Sequence, residues 1–221
     1  MVSFYACHQI EIEPALVLID TPDPGPLGYK ALADAAELIN ASEHWFDGKV
    51  LMTGTSSDAG QIQVFEAWYR WAVAYPSAAI SCHTDGLMAV GLVLQNASGD
   101  ILWQQRSDTT FDAGMWSLSA AGALDPGRGL REMILLEAHQ ELGIEPQILE
   151  PKIKVFALLS RPGIGACVLY TARIDDAETF LIPNEEVRDL FWAPVPDPPT
   201  GLDQTSRLAL PLLRQSLLTQ P

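Results

Sequence analysis

The strongest constraint on the fold is the stretch GALDPGRGLREMILLEAHQELGI at 122–144. Its LDPGRG segment carries two Gly and one Pro, which is typical of a loop. From Leu130 the apolar residues recur at helical spacing and should bury against a sheet. They form one stripe, made of Ile134, Leu135, Ala138 and Leu142. Gly143 then ends the predicted helix as a C-terminal cap residue.

Three polar residues occupy an arc beside that stripe. Glu137, Gln140 and Glu141 are spaced i, i+3 and i+4 and therefore neighbour each other on a helix. Their side-chain oxygens can converge on a hard cation such as Mg²⁺. A bound cation bridges diphosphate oxygens and activates water. The other interpretation is a solvated charged face, because acidic i, i+4 pairs are common on helix surfaces.

Composition excludes several classes of protein. An apolar content of 48% supports a packed core. No apolar run is long enough for a membrane span, and the N-terminus lacks the pattern of a secretory signal. The net charge of −15 disfavours binding to duplex nucleic acid. Three widely spaced cysteines indicate free thiols in a reducing compartment, so we expect a cytoplasmic protein that neither spans a membrane nor binds duplex nucleic acid.

We place the main domain at about 86–221. LMAVGLVLQN and ILWQQRS flank the turn ASGD and predict a strand hairpin, and KIKVFALLS with GACVLYTARID predicts a second one. NEEVRDLFWAP is interpreted as a step from helix to strand. The C-terminal TSRLALPLLRQSLL predicts a helix with a kink at Pro211.

An N-terminal extension is predicted at about 1–80. Residues 3–20 have the pattern of extended chain, and KALADAAELINAS at 30–42 has helical spacing. The segment after it predicts either two strands or a strand and a short helix, and the pattern leaves both open. Two roles are also open for this extension, which are covering a pocket and making a homodimer contact.

The stretch at 122–144 resembles the Nudix box, G-x5-E-x7-R-E-U-x-E-E-x-G-U, where U is a bulky aliphatic residue. The matching residues are Gly122, Glu137, Glu141, Gly143 and Ile144, with Ala138 as a weaker match. The three departures are Arg128 for the first Glu, Leu136 for the Arg, and Gln140 for one Glu of the pair. The preceding hairpin, which ends at Arg106, and the GMW segment with Trp116 also resemble this family.

The resemblance implies an α/β fold, a Nudix-type α/β/α sandwich with a mixed sheet, to which the N-terminal α+β extension is added. It implies a hydrolase that uses Mg²⁺ or Mn²⁺ to cleave a small nucleotide derivative of the nucleotide-sugar or ADP-ribose type. Glu137, Glu141 and Gln140 would be the metal-binding and catalytic residues. Arg106, Trp116 and Gly122 would be the substrate-binding residues.

Several roles stay open within this resemblance. Gln140 can offer an oxygen but brings no charge and cannot act as a base, so we expect weaker or fewer metals. The general base could be Glu141, Glu185 or Glu186. Arg128 could pair with Glu132, four residues along, and His139 is expected to be exposed.

Two alternatives compete with a hydrolase. The three departures in the box favour a Nudix-fold binding or regulatory module whose catalysis is impaired. WSLSAAG at 116–122 also resembles a strand of isopentenyl-diphosphate isomerases. That family uses a cysteine in this strand, and Ser117, Ser119 and Ala120 supply none.

Overall fold

The computed structural model describes residues 6–21, 25–40, 48–58, 60–71, 84–108, 112–161, 164–175 and 181–217. Within these ranges there are four helices and one eleven-stranded sheet. The strands are β1 Ala6–Gln9, β2 Ala15–Leu18, β3 Lys49–Asp58, β4 Gln61–Trp68, β5 Thr84–Gln95, β6 Ile101–Arg106, β7 Trp116–Ser117, β8 Ala120–Ala123, β9 Lys154–Arg161, β10 Ile164–Arg173 and β11 Val187–Ala193. The helices are α1 Gly25–Asn40, α2 Leu130–Leu142, α3 Pro146–Leu149 and α4 Gln204–Leu217.

Strand β5 is the centre of the sheet. One edge of β5 pairs in parallel with β10 along almost its whole length. Its other edge pairs in turn with β3, β8 and β6, all antiparallel. The β5–β6 hairpin is therefore confirmed, but its ladder is short, because β6 turns away to pair with β11 and β7. The mixed sheet expected from the sequence is confirmed.

Ser119 holds β5 and β6 together where their backbones diverge. Its hydroxyl accepts the N–H of Leu94 at 2.8 Å and donates to the carbonyl of Leu102 at 2.7 Å. The side chain is fully buried, so these two bonds replace the water that it loses. Ser119 therefore has a structural role at the fork of the sheet.

The N-terminal strands share this sheet. β3 and β4 form an antiparallel pair, which settles the choice that the sequence left open. β3 joins β5 through Met52 opposite Leu87, and Leu51 donates its N–H to the carbonyl of Leu124 in the box loop at 2.8 Å. The extension thus packs beside the loop before α2. The boundary between a unit at 1–80 and one at 86–221 stays a prediction.

The sheet must curl strongly. β1 and β2 lie at opposite ends of a path of seven paired strands, yet only residues 10–14 connect them. Seven flat strands would separate the outer two by roughly 29 Å, at about 4.8 Å per step. The connection from Gln9 to Ala15 spans at most about 21 Å. The two edges are therefore brought towards each other.

Helices cover both faces of the sheet. On one face α2 buries Ile134, Ala138 and Leu142 in a cluster with the apolar residues of β5, and Leu135 is partly buried against it. On the other face α4 packs through Ala209 and Leu213. Each fully buried leucine contributes about 1.5–3 kcal/mol relative to an exposed one. The predicted α/β/α sandwich is confirmed. No helix in the described ranges is long and apolar enough to cross a bilayer.

One predicted element is wrong. The segment at 184–194 begins with a turn and continues as β11, with no helix. The Asn184 side chain accepts the N–H of Glu186 at 2.9 Å, and its carbonyl accepts the N–H of Val187 at 3.2 Å. These bonds close a turn instead of starting a helix. Pro211 lies inside α4, which continues on both sides, and the kink stays a prediction.

Candidate active site

Helix α2 and the loop before it form the frame of the site. The helix starts after Gly129 and ends at Gly143, whose φ of 71° lies in the left-handed region that glycine tolerates. Gly143 and Ile144 donate their N–H groups to the carbonyls of His139 and Ala138, which closes the last turn. The predicted cap is confirmed, and His139 is exposed as expected.

Glu141 is a buried carboxylate, with 2% of the residue exposed. Its Oε2 accepts the N–H of Ala121 at 2.9 Å and the Nε2–H of Gln104 at 3.3 Å. Burial and, to a smaller extent, the nearby Glu137 together raise the pKa of Glu141 to about 8, against the opposing effects of the Ala121 bond and the Arg106 cation. This carboxyl is therefore partly protonated near neutral pH unless a cation neutralises it.

Glu137 lies one turn earlier and rests on Gly122 of β8. A Cβ placed on Gly122 would lie 1.8 Å from Oε1 of Glu137, so any larger residue at 122 would displace this carboxylate from its present position. Desolvation, with smaller effects of Glu186 and Asp125, raises the pKa of Glu137 to about 7 against the opposing effect of Arg106. The close approach of Glu137 thus explains a glycine at position 122, which the box pattern alone does not do.

Arg106, at the end of β6, interacts electrostatically with four titratable residues of the site. Its cation lowers the pKa of Glu137 and of Glu141 against the larger effect of burial. Burial also raises the pKa of Tyr69 and Asp203, and Arg106 opposes both of these shifts. Tyr69 comes from the N-terminal extension, so that region reaches the same group of charges.

The remaining predicted residues differ in their exposure and in their contacts. The side chain of Gln140 is exposed, while Glu137 and Glu141 face the sheet. Trp116 is half-buried and packs edge-on against Phe191, with ring centroids 6.2 Å apart. Glu186 lies in an exposed turn and raises the pKa of Glu137 and of Glu141. Of the two later acids, Glu186 is the one that acts on the pair.

The donor set fits a hard cation. Two carboxylates on adjacent turns are desolvated, and Glu137 raises the pKa of Glu141, so a divalent ion would relieve the cost of ionising both. Gln104 is also buried, and its Oε1 has no hydrogen-bond partner. Among the described residues, no group of three or more His, Cys, Asp or Glu side chains is arranged as a metal cluster. Two carboxylates are therefore the charged ligands that the described residues offer here.

Two of the residues that depart from the box pattern make contacts of their own. Arg128 pairs with Glu132 at 2.6 Å and with Asp125 at 3.4 Å, so the predicted pairing with Glu132 is confirmed. Leu136 is partly buried against the core beneath α2. An exposed ion pair and an apolar contact thus stand where the resemblance implies a Glu and an Arg.

A cavity of about 560 Å³ opens elsewhere on the molecule. The connection between β1 and β2 lines it together with Arg131, Lys154 and Phe156. None of the predicted site residues lines this cavity, so the carboxylate pair is not part of it.

Comparison with known proteins decides the family. The family model described as NUDIX domain matches residues 87–213, which is more than half of the chain. The chain belongs to the Nudix family. No curated protein matches the chain significantly.

Eight solved structures similar to this Nudix chain share 13–24% identity with it. A MutT NUDIX hydrolase from Burkholderia pseudomallei is 22% identical, with a TM-score of 0.48 over 57% of this chain and 96% of that one. The Nudix hydrolase RenU from M. smegmatis is 23% identical, with a TM-score of 0.46 over 61% and 88%. A C. elegans Ap4A hydrolase is 20% identical, with a TM-score of 0.45 over 57% and 93%.

Sequence reasoning missed Gln104 as a member of the site. It lies on β6 beneath α2 and its amide contacts Glu141. The available signal was an amide inside the apolar strand ILWQQR, although the alternation along a strand does not show which helix residue lies above it.

Proposed function

We propose that this Nudix protein is a divalent-metal-dependent hydrolase. It would cleave the diphosphate of a nucleoside diphosphate that is linked to another group, as in nucleotide sugars or ADP-ribose. The observation that carries the proposal is the pair formed by the half-buried Glu137 and the buried Glu141 beside Arg106. Two desolvated carboxylates next to a single arginine would bind a cation and then a polyanion.

The residues have distinct roles in this proposal. Glu137 and Glu141 would hold Mg²⁺ or Mn²⁺, and Arg106 would bind a phosphate oxygen. When bound, the ion supplies charge neutralisation and an acidified water. Glu186 is the base we favour over Glu185, because it acts electrostatically on both Glu137 and Glu141. Trp116 would form a wall for the rest of the substrate, and Gly122 leaves room for Glu137.

Gln140 would assist as a neutral ligand or hydrogen-bond donor from the exposed side of α2. Its oxygen adds no charge, so the affinity for metal is expected to be modest. Gln140→Glu should therefore raise the activity at limiting Mg²⁺. Unchanged activity at every Mg²⁺ concentration would show that position 140 does not reach the ion.

A second candidate function is a Nudix-fold binding or regulatory module. The observation that favours it is the exposed, uncharged side chain at Gln140, together with the replacements at Arg128 and Leu136. Such a module would bind a nucleotide derivative without turning it over.

A substrate screen separates the two functions. The purified protein is incubated with nucleotide sugars, ADP-ribose and dinucleoside polyphosphates in Mg²⁺, in Mn²⁺ or in excess chelator. Metal-dependent turnover that disappears in Glu141→Gln supports the hydrolase. Binding without turnover by the wild-type protein supports the module, and neither binding nor turnover would contradict both.

Three expectations from the sequence complete the proposal. The protein is cytoplasmic, it does not bind duplex nucleic acid, and its N-terminal extension either covers a pocket or makes a homodimer contact. Size-exclusion chromatography with light scattering, on the full chain and on a chain lacking residues 1–21, tests the last of these.

A further inference from the structure

Gln104 is placed to fix one oxygen of Glu141. Its residue is 1% exposed, and its Nε2–H donates to Oε2 of Glu141 at 3.3 Å. The backbone N–H of Ala121 donates to the same oxygen at 2.9 Å. Both hydrogen bonds that the described residues make to this carboxylate therefore fall on Oε2, and Oε1 keeps its lone pairs.

This arrangement costs free energy in the folded protein. Oε1 of Gln104 is buried without a hydrogen-bond partner among the described residues, and leaving a buried acceptor unsatisfied destabilises the folded state. An apolar side chain on β6 would avoid that cost, as Leu102 does two residues earlier on the same face. A glutamine at this position is thus better explained by what it does to Glu141 than by packing.

We propose that Gln104 is a positioning residue for metal binding. It and the Ala121 N–H hold Oε2 of Glu141 towards the sheet, so that Oε1 is presented to the divalent cation; this inference rests on the proposed function. The described residues offer two carboxylates on adjacent turns of α2 as ligands, so a misplaced Glu141 would affect half of them.

Gln105 provides a matched control. It follows Gln104 on β6, it is partly buried, and its Nε2–H donates to the carbonyl of Gly114 at 3.0 Å, away from Glu141. Gln104→Met and Gln105→Met each exchange an amide for an apolar side chain of similar length. The two variants therefore differ in whether the lost amide contacts the carboxylate.

The test measures Mn²⁺ binding to the substrate-free protein by electron paramagnetic resonance, beside the thermal midpoint of each variant. We expect Gln104→Met to weaken Mn²⁺ binding by about 10–100-fold. Gln105→Met should bind as the wild type does. Equal Mn²⁺ affinity in Gln104→Met and the wild type, with both proteins folded, would overturn the inference.

A second measurement needs no variant, so it holds even if Gln104→Met does not fold. In a crystal structure of the wild type with Mn²⁺, Oε1 of Glu141 should be the ligand atom and Oε2 should keep its two donors. Ligation through Oε2 would refute the role of Gln104 alone, since Glu141 would still bind the metal. A wild type that binds no Mn²⁺ would overturn the proposed function as well.

Discussion

Two sides of helix α2 carry the same kind of acid in different settings. On the outer side, the side chain of Glu132 is 58% exposed and pairs with Arg128 at 2.6 Å. On the inner side, Glu141 is 2% exposed and is held by the amides of Ala121 and Gln104. The outer acid is satisfied by an ion pair in solvent. The inner acid is costly to ionise, which agrees with the divalent cation that the proposed function assigns to it.

The largest expected effect comes from removing charge on the inner side. Glu141→Gln keeps the shape of the side chain but removes a carboxylate ligand, so kcat with Mg²⁺ should fall by at least about 100-fold. Steady-state kinetics on the substrate found in the screen gives the measurement. Glu132→Gln is the matched control on the same helix and should keep wild-type kcat. Equal losses of kcat in the two variants would show that the two sides of α2 do not differ in their contribution to catalysis.

A smaller effect is expected when the carboxylate of Glu137 is displaced but residue 137 remains a glutamate. Gly122→Ala introduces a Cβ that would lie 1.8 Å from Oε1 of Glu137 and force the carboxylate away. We expect about a 10-fold loss in metal affinity and in activity, as for residues that orient a ligand. Gly129→Ala is the control, because a Cβ there meets no atom within 4 Å. A fully active Gly122→Ala protein would show that Glu137 need not lie over position 122.

The raised pKa values of Glu137 and Glu141 also predict how the free energy of unfolding depends on pH in the absence of metal. Folding raises the pKa of Glu137 from 4.5 to about 7 and that of Glu141 from 4.5 to about 8. Between pH 5 and pH 8 the folded state therefore binds more protons than the unfolded state, so the free energy of unfolding falls as pH rises. Urea unfolding in chelator should show this slope, and Glu137→Gln with Glu141→Gln should flatten it. An identical slope in the double variant would contradict the assignment.

The smallest effect is expected on the outer side. Arg128→Met removes the ion pair with Glu132 and the longer contact with Asp125, both exposed. Such pairs contribute about 0–1 kcal/mol, so the free energy of unfolding should fall by less than that and kcat should not change. Urea unfolding and kinetics measure the two quantities. A collapse of activity would mean that Arg128 braces the box loop.

The sequence predicted the parts of the fold that depend on local spacing. The loop, α2, its glycine cap and both hairpins follow from turn residues and from apolar periodicity. The burial of Glu141 was also accessible, because it lies seven residues after Ile134 and therefore on the same face of the helix. The turn at Asn184 was misread as a helix start, since Asn and acidic residues favour both.

Long-range contacts were beyond the sequence. The pairing of Met52 with Leu87, which brings the N-terminal strands into the sheet, leaves no local pattern. The approach of Gln104 to Glu141 joins residues 37 positions apart. The outward placement of Gln140 depends on which side of α2 the sheet covers, and the spacing of the three polar residues does not fix that.

The central claim is that the carboxylates of Glu137 and Glu141 meet at one divalent cation. An anomalous difference map from crystals grown with Mn²⁺ and a non-hydrolysable nucleoside diphosphate derivative tests it directly. We predict a peak within coordination distance of both carboxylates, with the diphosphate on its far side and near Arg106. A Mn²⁺ peak at a different acidic surface, with both glutamates still bonded only to the protein, would contradict the account.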